Sequence, residues 1–459
     1  EVSSGDGARL QAQECPGYPA LEASFQAGPE RTIAVTKIVT VVTSRDAEQP
    51  LAAARHRLPR PAAYEASLAA HEEAWAEVWR ASDVAIEGHE QDQAAIRFNL
   101  FQTLIATPRH DDRVSIGAKA LSGFGYRGHV FWDTELFVLP FLTFTQPGIA
   151  RNLLGYRYHT LPGARRKAAG AGYEGAMFAW ESAARGEDVT PSWVLDPAGK
   201  ELVRIWPGEI EQHISADVAY AVWQHWRATG DDEWMSDRGA PILLETAVFW
   251  GSRVEQDRTR DRYEIRNVIG PDEYHDHVDN NAFTNRLVQW HLAAALELLA
   301  WLRRHDPSRA ADLEAQLDLT PRRLQHWADV AGCLFVPHDP DSDLIEQFEA
   351  VEAARGSIGT ADAQFRIDLT GEQALKLKPG LGEARMGLAY AYAESGDHAN
   401  AYEAYKGLLN ENAGTSGFRS KGYFHLGYAA WKLGRKDEAY RYLALAEPGM
   451  RRDKFLLSD

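Results

Sequence analysis

Cysteine is almost missing from this chain. Two occur in 459 residues, Cys15 and Cys333, and neither stands in a CxxC pair, which excludes a disulfide framework and argues against a zinc site built on thiolates. Long apolar runs are missing as well: no stretch is long enough to span a bilayer, and the opening EVSSGDGARLQAQE lacks the basic-then-apolar plan of a signal peptide. Runs of Lys and Arg are equally scarce, and a formal charge of -17 would repel nucleic acid or an anionic membrane. Neither is an expected partner, and the cysteine usage is compatible with a reducing, cytoplasmic setting. The chain opens on Glu1 rather than Met, so a fragment of a longer product is expected.

What is present is apolar material for a large core, 45% of the residues, in a chain long enough for two or three domains. Residues 31–44 (RTIAVTKIVTVVTS) alternate Ile33, Val35, Val39 and Val41 at the two-residue period of a strand, the end of a β domain. Tyr64, Leu68, His71, Trp75, Val78 and Trp79 then follow the three- and four-residue steps of an amphipathic helix, with His71 as a face-packing residue. From 92 onward helical runs dominate, clearest over 92–107, 214–229, 239–256 and 280–304, with Gly230 as a C-cap and Asp279 in an N-cap position. Helix after helix with short turns predicts an all-α bundle or toroid; periodicity alone does not separate a barrel from a solenoid. After 349 the pattern changes. Leu388, Tyr392, Gly396, Ala401 and Tyr405 are echoed 38 residues later by Leu426, Ala430, Gly434, Ala439 and Leu443, which resembles tetratricopeptide repeats. Such repeats suit a protein partner, and equally a packing module without one.

The densest polar constellation is IGPDEYHDHVDNN at 269–281, where Asp272, Glu273, His275, Asp276, His277 and Asp279 crowd behind a Gly-Pro turn. Three readings stand: a metal site from His275 and His277 with Asp272 or Asp279, a solvated charged loop, or a carboxylic acid set to protonate a leaving oxygen. Aromatics beside acids favour the third: Trp132 with Asp133 and Glu135, Trp180 with Glu181, and Trp206 ahead of Glu209 and Glu211. A sugar presents apolar C–H faces and paired hydroxyls, which call for flat rings beside carboxylates.

The blocks DDRVSIGAKALSGFGYRGHVFWDTELFVLPF, TQPGIARNLLGYRYHTLPGARRKAA, FAWES, HISADVAYAVW, VIGPDEYHDHVDNNAFTN and LIEQFE occur in the order and spacing of the maltose, trehalose and kojibiose phosphorylases of glycoside hydrolase family 65. The resemblance covers residues 30–349. It implies a mainly α fold, an incomplete (α/α)6 catalytic barrel over 92–349, preceded by the remnant of a β-sandwich (1–60) and a linker helix (61–91). A junction (350–363) and tetratricopeptide-like helix pairs (364–459) follow. It implies Glu273 as the general acid, a glucose subsite built from Trp132, Asp133, Trp180 and Glu181, and His213 and Asp217 lining the same cavity. No metal or organic cofactor is implied. The co-substrate is inorganic phosphate, and family members are often homodimers.

The implied reaction is inverting phosphorolysis of an α-linked glucose disaccharide to β-glucose 1-phosphate and glucose. An inverting hydrolase needs a second carboxylate as base for water; phosphate is already an anionic nucleophile and needs only the acid. Asp272 and Asp276 are the expected source of charge that keeps Glu273 protonated near neutrality. The family's later block, which holds phosphate, has no counterpart after Glu349, so little or no turnover is expected of these residues alone. A trehalase-like hydrolase, and a non-catalytic fused or truncated protein with a sugar-binding remnant, are the competing expectations.

Overall fold

The computed structural model describes residues 2–4, 9–13, 20–24, 28, 35–58, 64–195, 202–339, 344–349, 389, 392–393, 397–410 and 416–445. Contacts group the chain into two units, Glu1–Ile105 and Ala106–Asp459.

In the first unit β1 (Val2–Ser4) pairs antiparallel with β4 (Val35–Lys37), and β2 (Arg9–Gln13) with β3 (Ala20–Ser24). The strand expected over 31–44 is described only at β4. Residues 31–34 lie outside the described residues, and 38–44 run without a ladder, leaving Val39 and Val41 65% and 79% exposed. β-Branched residues favour strand where a neighbour and a packed face receive them, and here the described chain offers neither. A helix, α1 (Pro50–Arg57), follows within the stretch expected to be β remnant. The amphipathic helix is present as α2 (Tyr64–Ser82), with Trp75 6.0 Å from Trp79 and 5.3 Å from Phe101 of α3 (Glu90–Ala106). That packing groups α3 with α2, so the contact boundary falls at 105/106 rather than at 91/92.

The second unit is built on α4 (Leu139–Thr145), α5 (Pro147–Gly170), the single turn α6 (Pro207–Ile210), α7 (Ile214–Thr229), the turn α8 (Asp232–Trp234), α9 (Ala240–Arg253), α10 (Ala282–His305), α11 (Pro307–Gln316) and α12 (Pro321–Cys333). Two π-helical turns, Thr134–Val138 and Met235–Gly239, lead into α4 and α9. Packing falls into two rows: α4, α7 and α10 touch in series, as do α5, α9 and α12, and the chain alternates between the rows. This is the (α/α) alternation over three helix pairs, and it brings the starts of α4, α7 and α10 to one end.

Local sequence explains the boundaries. Gly230 ends α7 in the left-handed conformation (φ +67°), its N–H on the Trp226 carbonyl. The cap of α10 is Asn281, whose side chain accepts from Thr284 N at 3.0 Å, and not Asp279, which instead accepts from Asn267 N at 2.9 Å. A cap side chain reaches the N–H two or three residues on, a spacing Asn281 meets at Thr284. α9 is apolar nearly all round and is buried accordingly, with Leu243, Phe249 and Trp250 fully excluded from water. Truncating Trp250 to Ala would cost about 3–5 kcal/mol.

Further along, α13 (His398–Asn410), α14 (Ser416–Lys432) and α15 (Lys436–Leu445) pack in antiparallel succession. Tyr405 stacks on His425 at 5.5 Å, and any side chain at Gly427 would press on Leu443. Gly434 (φ +75°) makes the turn between α14 and α15, and Ala401 and Ala439 are buried in the shared core with Tyr402 and Leu426. Gly396, the junction 350–363 and the start of the expected repeat at 364–388 lie outside the described residues.

Candidate active site

Four segments converge where the first row of helices begins. Trp132 and Asp133 precede the π turn before α4, residues 178–182 arrive between α5 and α7, residues 211–213 precede α7, and residues 269–281 precede α10. Isolated bridges tie them: Val130 to Ser182, and Glu211 to Ile269, where Ile269 N donates to the Ile210 carbonyl at 3.1 Å.

His213 is the hub. Its Nδ1 is 2.6 Å from Asp217 and its Nε2 3.0 Å from Glu211. Trp132 meets the imidazole edge-on at 4.9 Å, Phe283 at 5.4 Å and Trp180 at 6.5 Å. Trp180 is also braced by Phe131 at 5.6 Å, and its neighbour Glu181 is buried against His129 at 2.6 Å. Trp132 and Trp180 thus meet around the His213 imidazole, while their neighbours differ: Glu181 turns to His129, and Asp133 acts on Glu273. His213 and Asp217, expected to line the cavity, are instead wholly excluded from water; they underlie the rings rather than face a ligand.

Beneath them runs a buried charged string. Asp217 feels Arg157 of α5, which holds Glu135 through two hydrogen bonds of 2.7 Å and donates to the Phe131 carbonyl at 3.2 Å. Burial alone would lower the His213 pKa, but the Asp217 and Glu211 carboxylates raise it to about 9. Burial pushes Glu211 up to about 7, with His213 opposing and Glu273 adding. Asp217 and Glu135 are also raised by burial, against the pull of His213 and Arg157 respectively.

Glu273 lies on the open side of this assembly, exposed, as is Asp133, with Trp132 half-buried beside them. Its carboxyl is held above the ordinary range, first by partial burial, then by the Asp133 charge, with Asp272 adding and His213 opposing. Asp276, expected to share that role, instead pairs with His277 at 3.2 Å. The loop is fixed from behind: Asp272 accepts from Gln347 (3.1 Å) and Tyr274 N (3.1 Å) and lies 2.7 Å from His275 Nδ1, while Ala282 N donates to the Gln347 carbonyl at 2.8 Å. Gly270 has no room for a side chain because the Asn281 amide fills that space. His275 turns to Phe348 (5.2 Å) and His277 to Trp206 (4.6 Å), so the two imidazoles serve different neighbours. Among the described residues no cluster of three His, Cys, Asp or Glu is arranged to hold a metal ion.

Sequence reasoning did not single out Arg157, His129, Phe283 or Gln347, and noted Glu135 and Glu211 only as acids near Trp132 and Trp206. For Glu211 the signal was available, an acid two residues before a His in a block already singled out. Two cavities of about 540 and 350 Å³, sharing Asp112, Arg151 and Asn152, lie toward the opposite helix ends, near the start of α5 and the end of α7.

The central catalytic domain of glycosyl hydrolase family 65 matches residues 97–361, and the family's N-terminal domain matches residues 2–78. The chain belongs to glycosyl hydrolase family 65. Among its relatives in the family, a kojibiose phosphorylase of Halothermothrix orenii is 41% identical over 389 residues, covering 83% of this chain and 49% of the relative. Another, from Caldanaerobacter subterraneus subsp. tengcongensis, is 45% identical over 329 residues, 71% of this chain and 42% of the relative. A nigerose phosphorylase of Lachnoclostridium phytofermentans is 37% identical over 332 residues, 71% of this chain and 44% of the relative. The chain therefore spans about half the length, or less, of the curated relatives it matches. A solved human-microbiome structure assigned as a kojibiose phosphorylase shares the fold, with TM-score 0.59 at 20% identity over 87% of this chain and 51% of that one. The family fold and the mainly helical architecture expected from the sequence both hold.

Proposed function

We propose that these residues carry the acid and glucose-recognition part of an inverting phosphorylase acting on an α-linked glucose disaccharide. The observation that carries this reading is the meeting of Glu273, Asp133 and the Trp132–His213–Trp180 cluster from four separate segments, in a member of a family whose relatives include kojibiose and nigerose phosphorylases.

In this reading Trp132 and Trp180 present ring faces and edges to the sugar, and Asp133 and Glu181 accept from its hydroxyls. His213 and Asp217 hold the rings in place from below. Glu273, whose carboxyl is held above the ordinary range by partial desolvation and by the Asp133 charge, donates its proton to the glycosidic oxygen as that bond breaks. Inorganic phosphate attacks C1 from the opposite face, giving β-glucose 1-phosphate and releasing glucose. Holding a dianion there needs oriented donors or cations, and the described residues around Glu273 supply carboxylates instead. Small turnover is therefore expected of this chain by itself. The work is read as cytoplasmic, on free disaccharides, and residues 364–459 are read as a tetratricopeptide-like module able to take a protein partner.

The test incubates the purified chain with phosphate and kojibiose, nigerose, maltose or trehalose, kojibiose first, and assays β-glucose 1-phosphate. Glucose binding is followed in parallel by tryptophan fluorescence. Glucose binding that needs Trp132, with product lost in Glu273→Gln, supports the reading. Product that survives Glu273→Gln sinks it.

A further inference from the structure

The segment that carries Trp180 and Glu181 runs beside the chain that leads into Trp132. Val130 and Ser182 exchange both backbone hydrogen bonds, Val130 N to the Ser182 carbonyl at 3.0 Å and Ser182 N to the Val130 carbonyl at 2.9 Å. Side chains alternate across such a pair. Val130 and Ser182 turn to the buried side, where Ser182 Oγ meets the Tyr156 hydroxyl of α5 at 2.7 Å, and the flanking His129 and Glu181 turn to the other. There His129 Nδ1 lies 2.6 Å from a Glu181 carboxylate oxygen.

That contact assigns the ring. Glu181 accepts, so Nδ1 carries the hydrogen, and the neutral imidazole keeps its lone pair on Nε2. Nε2 has no hydrogen-bond partner among the described residues, and it is not sealed from water. The two side chains are unequally placed, with 23% of His129 exposed against 9% of Glu181. A ligand on this side therefore reaches the ring before it reaches the carboxylate behind.

The backbone before His129 is held in an uncommon shape. Tyr126, Arg127 and Gly128 are left-handed in succession, at φ 57°, 53° and 77°, and His129 N closes the turn on the Tyr126 carbonyl at 2.9 Å. Two of these residues carry side chains that disfavour such a conformation, a kind of strain that gathers at ligand sites. The turn is fastened to the aromatic cluster of the site: Tyr126 meets Phe131 at 5.0 Å, Phe131 meets Trp180 at 5.6 Å, and Trp180 lies 6.5 Å from His213.

We propose that His129 is a further sugar-contacting residue: Nδ1–H holds Glu181 in place, and Nε2 accepts a hydroxyl hydrogen of the glucoside beside the acceptor that Glu181 supplies. This rests on the reading of the Trp132–His213–Trp180 cluster as the glucose site. Two acceptors on one wall suit two neighbouring hydroxyls of one sugar ring.

The experiment follows the histidine ring nitrogens of the whole ¹⁵N-labelled chain by NMR as kojibiose is added, while calorimetry measures its binding. The His129 signals are those lost in His129→Asn. The free protein should show His129 protonated at Nδ1 and unprotonated at Nε2, and kojibiose should shift Nε2 far more than Nδ1. Two variants separate holding Glu181 from touching sugar. Asn puts an amide N–H near the Nδ1 position and keeps the bond to Glu181, whereas Gln puts its carbonyl near the Nε2 position. His129→Asn should weaken kojibiose binding about tenfold, the scale of one hydrogen bond, and His129→Gln should recover part of that loss. Unchanged affinity in His129→Asn overturns the proposal, as does an Nε2 signal that stays still in the unsubstituted protein while calorimetry shows kojibiose bound; either result leaves the glucose site standing. Kojibiose that does not bind at all removes the glucose-site reading and this proposal with it.

Discussion

Two imidazoles, His291 in the seam between α9 and α10 and His213 at the entrance to α7, are equally excluded from water, yet their surroundings push them in opposite directions. His291 meets the Leu243 carbonyl at 2.9 Å and Thr246 Oγ1 at 3.2 Å, neutral groups; the carbonyl favours the charged ring only weakly, and burial lowers its pKa to about 4. His213 suffers the same burial, but two carboxylates overcome it and raise the pKa to about 9. Burial sets the size of the penalty on charge, and the partners decide whether charge survives it. The seam is built to be neutral and the site end to be ionic, although both lie on the same pair of helix rows.

The comparison breaks most sharply at Arg157. Arg157→Met leaves Glu135 buried without its partner, and denaturant unfolding should show a loss of about 3–5 kcal/mol. Adding Glu135→Leu should recover most of it. The same kind of truncation at the neutral end, His291→Leu at neutral pH, should cost far less, and an equal cost would erase the distinction drawn here.

The two histidines should next separate by pH. His291 has a depressed folded pKa, so its contribution is complete above the unfolded value of 6.5 and is lost as pH falls toward about 4. His213 has a raised folded pKa, so its contribution is complete below 6.5 and is lost as pH rises through about 9. Each limb should amount to about 3 kcal/mol at its extreme. Unfolding free energies measured across pH should lose the acid limb in His291→Leu and much of the alkaline limb in His213→Gln. Glu211, raised from 4.5 to about 7, loses stability in the same direction as His213 but between about pH 4.5 and 7, so it leaves the alkaline limb to His213 and offsets part of the acid limb. A His291→Leu protein with an unchanged acid limb would show that another group carries it.

The smallest effect joins the two regions. Asn281 caps α10, the helix that carries His291 and begins directly after the acid loop. Asn281→Ala should cost about 1 kcal/mol in thermal or denaturant unfolding. It also opens the space against Gly270, so amide exchange should quicken in residues 269–281 more than around His291.

Much of this was legible in the sequence, and the limits have physical causes. Helices α2, α7, α9 and α10 follow from periodicity, because each buries a continuous apolar stripe whatever its neighbours are. The proposed site residues Trp132, Trp180 and Glu273 drew notice because they sit in dense local blocks of aromatics and acids. Arg157 could not, nor could its pairing with Glu135, since the two lie 22 positions apart and meet only through helix packing. That His213, expected to line the cavity, is wholly excluded from water was hidden for the same reason: a motif shows that a residue matters, while neighbours such as Trp132 and Phe283 decide whether water reaches it. The strand expected through residue 44 stops at Lys37 because propensity alone does not supply a partner.

The π turn at Thr134–Val138 has a consequence for how the site tolerates changes in length. Leu139 N closes back onto the Thr134 carbonyl, five residues earlier, so this turn holds one residue more than an α-helical turn would. Removing a single residue from it would let the helix wind regularly into α4 and swing whatever precedes it by roughly 100° about the axis. Trp132 and Asp133 would then be out of phase with His213 and Glu273, with every side chain of the site still present. The extra residue works as a phase setting, like one added tooth on a gear: a deletion far milder than loss of the acid itself would leave the ring and the proton facing different ways.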